Sequence, residues 1–298
     1  MEYRVRAEED GWQVLRILRG SMQVSCSALK SAKWNGRILL NGRAVTVRTP
    51  VREGDLISME WGEDTPAYSP KPFPMNLTIP FMDEHFMVVD KPAGIASQSS
   101  RNHPDDSLEN AVYAFLGCPP GFVYRPVNRL DKGTGGLLVI ARTPHAQHLL
   151  QEMLHTPRFC RRYLAWTTGI PETEEGVLDF PIVREPSATI RRIVSPDGRP
   201  CRTLYRVLKE KEDGALILLE LRTGRTHQIR VHLSHIGCPV RGDFLYGTEL
   251  PDAFPGCFAL HSAFLSLVHP LTGEHIHFIS RPPWAREIED ARLLADFE

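Results

Sequence analysis

The feature that most restricts what this 298-residue chain can fold into is a run of prolines between positions 62 and 80: Pro66, Pro70, Pro72, Pro74 and Pro80. Proline has no backbone N–H and a fixed φ, so five in so short a span exclude both a helix interior and a central strand. The stretch reads as an extended linker. It separates a small module, residues 1–61, from a body, residues 81–298, that is long enough to bury its own core. Chain length alone also suggests two domains, at about 100–200 residues each.

Local patterns fill in the two parts. In the small module, Trp12–Arg19 and Ser25–Trp34 read as short helices and Arg37–Leu40 as a strand. Asn41-Gly42 then makes a type I′ turn into a return strand, Ala44–Val47, and Leu56–Trp61 alternates as a further strand. In the body, strand character marks Met87–Asp90, Leu137–Ala141, Tyr163–Thr167, Ala215–Leu221, Ala259–Val268 and Ile276–Ile279. Thr143-Pro144 supplies an N-cap and a first-position proline for a helix running through Leu154. A second helix is predicted from Thr226 to His235, stopped by Gly237. Strands outnumber helices without regular alternation. The expected class is therefore α+β, with a mixed, mainly antiparallel central sheet and packed helices, plus a small N-terminal α+β module.

Several function classes drop out. No apolar run approaches the length of a bilayer span, and Met1–Asp10 is too charged for a secretory signal. Six cysteines are scattered without any C-x-x-C pair, which fits reduced thiols in a cytoplasmic protein and neither a disulfide framework nor a zinc ribbon. The formal charge of −1 offers no whole-chain reason for a polyanionic partner. Along the chain the balance is uneven. Residues 121–165, 184–206 and 222–241 carry +5, +4 and +4, almost all from arginine, so the remainder carries −14. Arginine pairs bidentately with phosphate and stacks on bases, so three such windows favour one polyanion-binding face.

Within the first window, Arg125 to Leu138 places Asp131 between Arg129 and Lys132 in a Gly-rich turn that feeds a buried strand. The glycines match neither a Walker loop nor a dinucleotide fingerprint. On this text alone, Asp131 is equally a catalytic acid or a turn residue paired with its basic neighbours. Leu221 to His232 is the second informative segment; if helical from Thr226, it puts His227 and Arg230 on one face. Its histidines come without a metal-binding spacing or a local acid, so no metal is expected. The third is Arg161-Arg162-Tyr163-Leu164-Ala165-Trp166, a strand opening on basic and aromatic residues, in which Tyr163 is either a half-buried strand tyrosine or a ring for stacking on a base.

Together these segments resemble the RluA-type family of RNA pseudouridine synthases. The text around Asp131 is similar to that family's Arg-Leu-Asp signature, Arg162-x-x-Ala165 with Tyr163 to its tyrosine motif, and Thr223 to His232 to its third motif. Pro239 to Asp243, Leu260-His261-Ser262 and His269 to Gly273 follow in order. Asn128 stands where many members carry histidine, and Gly135 where serine is usual. The N-terminal module resembles the small RNA-binding domain named after ribosomal protein S-four, through Val24-Ser25, Leu29-Lys30, Arg37 to Gly42 and Val51-x-x-Gly54-Asp55.

The resemblance implies an isomerase that converts uridine to pseudouridine without a cofactor. Its catalytic set would be Asp131, Tyr163 and Arg230, with Arg230 as the cationic partner a buried carboxylate needs. Asp131 would act either as nucleophile on the sugar or as base at its 2′ carbon. Tyr163 would stack on the uracil and help remove the carbon 5 proton. Arg129, Lys132, Arg161, Arg162, Arg225 and His227 would hold RNA, Ile229 would wall the base pocket, and the target uridine would flip out of its helix or loop. The implied partner is ribosomal RNA, then transfer RNA, acted on by a cytoplasmic monomer with no membrane contact. The alternative is a non-catalytic RNA-binding or ribosome-assembly protein of the same fold. A glycosidase would need a second carboxylate in the site; Asp105-Asp106 reads as a solvated loop.

Overall fold

Long, almost uninterrupted apolar runs such as Gly135–Ala141 and Gly214–Leu221 demand a sheet covered on both faces. The computed structural model, which describes residues 1–24, 29, 37–60, 68–186 and 190–297, contains such a sheet. In the small module, β1 (Glu2–Arg4), β2 (Arg37–Leu40), β3 (Arg43–Ala44) and β4 (Leu56–Glu60) form an antiparallel sheet in the order β1-β4-β2-β3, flanked by α1 (Val14–Arg19). Val14, Ile17 and Leu18 recur at helical spacing and bury against Ile38, Ile57 and Met59. Asn41 and Gly42 both have positive φ, as a type I′ turn requires, but the return strand closes after Ala44. The expected helix Ser25–Trp34 lies outside the described residues, save Leu29.

The body builds one ten-stranded sheet. Its strands are β5 (Thr78–Met82), β6 (Phe86–Lys91), β7 (Arg125–Pro126), β8 (Gly135–Ala141), β9 (Phe159–Thr168), β10 (Glu175–Leu178), β13 (Thr203–Lys211), β14 (Gly214–Leu221), β15 (Leu260–Val268) and β16 (His275–Ile279). A separate hairpin pairs β11 (Ile182–Arg184) with β12 (Arg192–Val194). The main order is β10-β13-β14-β9-β15-β8-β6-β5, with β16 on β15 and β7 on β8. Every pairing is antiparallel except β8 with β15. β5 begins inside the stretch expected to be linker. The residues before it are held to α2 (Leu108–Phe115), an unpredicted helix: Phe73 N–H donates to the Asn110 carbonyl and Asn110 Nδ2 to the Lys71 carbonyl. β13 was also not anticipated, because Lys209, Glu210 and Lys211 obscure its alternation.

Period-2 alternation sorts the side chains. Leu138, Ile140, Tyr163, Ala165, Ile217 and Leu219 face one side, under Leu108 and Val112 of α2 and Ile229 and Leu233 of α4 (Gln228–His235). Leu137 and Val139 face the other, under Ala146, Leu150 and Met153 of α3 (Pro144–Met153). Leu164, Leu216 and Leu218 share that back face with Ile288 and with Leu293 of α5 (Asp290–Leu294). The predicted cap holds: Thr143 Oγ1 accepts the Ala146 N–H at 3.1 Å.

Candidate active site

Asp131 sits in the 127–134 loop between β7 and β8, and the segment after β6 pins that loop. Ser97 Oγ donates to the Leu130 carbonyl at 2.6 Å and accepts the Leu130 N–H at 3.1 Å. Gly94 N–H donates to the Lys132 carbonyl at 2.8 Å, and Asn128 Oδ1 accepts the Val139 N–H at 3.0 Å. Lys91 is 1% exposed, and its ammonium donates to the carbonyls of Pro92 (2.9 Å), Ile95 (2.8 Å) and Lys132 (3.3 Å). Burial draws its pKa down to about 7, opposed first by the charge of Asp131. The glycines serve packing rather than phosphate: at Gly136, φ is +104° and a Cβ would overlap the Ser262 backbone across the β8–β15 contact.

The third motif folds back on itself to aim its charged side chains. Gln228 Oε1 accepts the Arg225 N–H at 2.9 Å and the Thr223 hydroxyl at 3.0 Å, while its Nε2 donates to the Arg202 carbonyl and Thr203 Oγ1. His227 is in the left-handed region, φ 58°, so α4 begins at Gln228 rather than at Thr226. This turn directs Arg230 and His227 toward the same oxygen. Arg230 Nη1 donates to Asp131 Oδ2 at 3.0 Å, and His227 Nε2 lies 3.9 Å from it.

Arg230 is also held from behind. Its Nε and Nη2 donate to the two carboxylate oxygens of Asp243 at 2.6 and 2.8 Å, and Asp243 is completely buried. The rings of Phe258 and Tyr246 lie 4.4 and 4.9 Å from the guanidinium carbon. Tyr246 oxygen accepts the Arg192 N–H at 2.8 Å and pairs with His227 Nδ1 at 2.9 Å. Burial lowers the pKa of His227, so the imidazole is neutral near pH 7.

Tyr163 is 3% exposed on β9. Burial raises its pKa and the charge of Asp131 adds to that, while the charge of Arg161 pulls the other way. Asp131, Tyr163, Arg129, Lys132, Arg161 and Arg225 line a cleft of about 800 Å³. It shares Asp131, Tyr163 and Arg225 with a smaller pocket of about 60 Å³, to which Ile229, Arg230 and His227 contribute.

Nine of the ten expected site residues therefore converge. Arg162, expected among the RNA-binding residues, does not join them. Alternation along β9 turns it to the back face, where Nε meets Glu220 Oε2 at 2.9 Å, Nη2 meets Asp296 Oδ1 at 2.7 Å, and Nη1 donates to the Leu293 carbonyl at 2.7 Å. Asp243, Tyr246, Lys91 and Gln228 were not anticipated as site residues. Asp243 does lie in a matched segment, but nothing local marks it as the partner of Arg230. His232 is engaged by Thr203 Oγ1 and the Phe180 carbonyl, and Asp105 and Asp106 pair with Lys71 and His103.

With this geometry in place, comparison with known proteins is informative. A family model described as RNA pseudouridylate synthase matches residues 85–235. The RNA pseudouridine synthase YjbO of Bacillus subtilis (strain 168) is 36% identical over 263 residues, covering 87% of this chain and 92% of that protein. Ribosomal large subunit pseudouridine synthase D of Nitrosomonas europaea is 36% identical over 268 residues, covering 86% of this chain and 74% of its own length. Among solved structures, human RNA Pseudouridylate Synthase Domain Containing 1 shares the fold, with a TM-score of 0.58 and 24% identity over 73% of this chain and 86% of that one.

Proposed function

This chain belongs to the RNA pseudouridine synthase family, and from that premise we propose that it isomerises uridines of structured RNA with Asp131 as the catalytic carboxylate. The observation that carries the reading is the ion-pair chain Asp131–Arg230–Asp243, whose buried end holds a half-buried carboxylate on the wall of an arginine-lined cleft. A pure RNA binder gains nothing from a carboxylate inside its anion-binding face, whereas an isomerase needs one. In the reaction the N1–C1′ bond breaks, a C5–C1′ bond forms, the carbon 5 proton leaves and N1 gains a proton. No electrons are exchanged with a partner.

The roles follow from the surroundings. Arg230 neutralises and orients Asp131, and Asp243 fixes Arg230, so the carboxylate points at the sugar without a search among rotamers. Both the nucleophilic route and the 2′-deprotonation route use Asp131 in this position. Tyr163 enters as a neutral phenol whose ring stacks on the uracil. To take the carbon 5 proton it must pass on its own, and Ser262, its register partner on β15, is the neighbouring hydroxyl. Ile229 walls the base pocket. Arg129 and Lys132, both exposed beside Asp131, hold the strand from which the uridine is flipped, with Arg225 opposite. The similarity to synthases named for the ribosomal large subunit favours ribosomal RNA over transfer RNA. The small module adds S-four-like RNA contacts, and the protein works as a cytoplasmic monomer.

The test is release of tritium from RNA labelled at carbon 5 of uridine. The wild type should release it, and Asp131→Asn should release none while still binding RNA. Binding without release by the wild type would leave only a binding protein.

A further inference from the structure

Arg161, Arg162 and Arg230 are the most deeply buried arginines of the described residues, and their environments differ. Arg162 and Arg230 each meet two carboxylates. Among the described residues Arg161 meets none: it is 4% exposed, its Nε and Nη2 reach no hydrogen-bond acceptor, and the polar group beside it is the uncharged Tyr163 hydroxyl. A guanidinium withdrawn from water without an anion is disfavoured, because its desolvation goes uncompensated. Its neighbours make the deficit larger. Arg225 and His155 line the same cleft, and their mutual repulsion with Arg161 is felt at His155, whose pKa is lowered by burial and then by both arginines. Glycine keeps this wall of the cleft clear: a Cβ on Gly224 would stand in contact with His155 Cε1, at 3.4 Å, and Arg161 Nη1, at 3.9 Å. Gly224 does not adopt a positive φ, so glycine is not required there by the backbone.

We propose that Arg161, with Arg225 and the gap at Gly224, forms a seat for one phosphodiester of the RNA strand beside the uridine that reaches Asp131. This rests on the reading of the cleft as an RNA site and adds a specific anion position to it. The ligand chemistry follows from the groups present: a single negative charge with several acceptor oxygens satisfies a forked donor that no protein carboxylate serves. Arg161 and Tyr163 are two apart on β9 and project from the same face. One strand thus presents the ring for the base and the cation for its backbone at a fixed separation, so seating the phosphate sets where the base lands.

Two variants and two measurements test the seat on the full chain. Arg161→Met removes an unpaired buried cation, so it should melt at or above the wild-type temperature in phosphate-free buffer. Its affinity for a transcript of large-subunit ribosomal RNA should fall about tenfold to a hundredfold, as expected for a lost charge-assisted contact. The slope of log affinity against log salt should shrink by about 0.7–0.9, the signature of one released counterion. Gly224→Val, which fills the gap but keeps every charge, should reproduce the affinity loss. A destabilised Arg161→Met with an unchanged salt slope would overturn the proposal and make Arg161 a structural cation. Unaltered RNA affinity in Gly224→Val would overturn the shape of the seat. Tritium release is scored separately: wild type that binds RNA but never isomerises it refutes the enzyme reading, while the salt slopes still judge the seat.

Discussion

At the residue scale, the site turns on a single cation shared between two acids. Arg230 gives one N–H to Asp131 and a bidentate pair to Asp243, so its direction is set by the fully buried acid and its charge is used by the half-buried one. Breaking a buried pair from one side costs about 3–5 kcal/mol, since the remaining charge is stranded. Asp243→Asn should therefore lower the melting temperature by many degrees. It should also lower tritium release by about a hundredfold, because a catalytic group displaced by even one ångström loses about that much. Thermal denaturation and turnover on one preparation check both; full activity would remove Asp243 from the machinery. This residue also marks the limit of what the sequence discloses. Asp131, Tyr163 and Arg230 stood out because the text around each resembles a motif of the family. Asp243 is an ordinary acid thirteen positions from Arg230, and only the fold brings the two together.

At the element scale, the strands decide which charges reach the cleft. Arg161 and Arg162 are adjacent and chemically identical, yet β9 sends the first to the front with Tyr163 and the second to a back-face carboxylate cluster. The period of two was available from the sequence. The origin of the count was not, because both faces of this sheet are buried and hydrophobicity no longer distinguishes them. The strands β6, β8, β14 and β15 were legible as apolar runs, whereas α2 and β13 were hidden by polar residues that tertiary packing tolerates. The loop carrying Asp131 has a comparable dependence, since Lys91 at the end of β6 ties three carbonyls, including that of Lys132. Lys91→Met keeps the volume and removes the donors. Each charged hydrogen bond lost from a buried site costs about 1.5–3 kcal/mol, so the amides of Leu130 and Thr134 should exchange hydrogen markedly faster and tritium release should fall. Wild-type exchange rates in this variant would show that the loop is held by Ser97 and Gly94 alone.

At the scale of the whole molecule, a charge of −1 conceals a basic cleft, and two separate cores sit on either side of the proline-rich stretch. The small module buries Val14, Ile17, Ile57 and Met59 among residues of its own sheet, and the body's clusters draw only on residues after position 76. No strand is shared between the two sheets. All the groups assigned to isomerisation lie in the body, and the RNA contacts proposed for the small module add no chemistry. A chain beginning at Tyr68 keeps the segment that packs along α2 and all of β5, so its sheet stays complete. It should melt in one cooperative transition and release tritium at a wild-type rate from saturating RNA. Its KM should be higher and its salt slope shallower, because counterions displaced by the missing module are no longer counted. A truncated chain that fails to fold would make the small module part of the body's stability. An unchanged KM would mean that the cleft, with its arginines on one front face, supplies the whole grip on RNA.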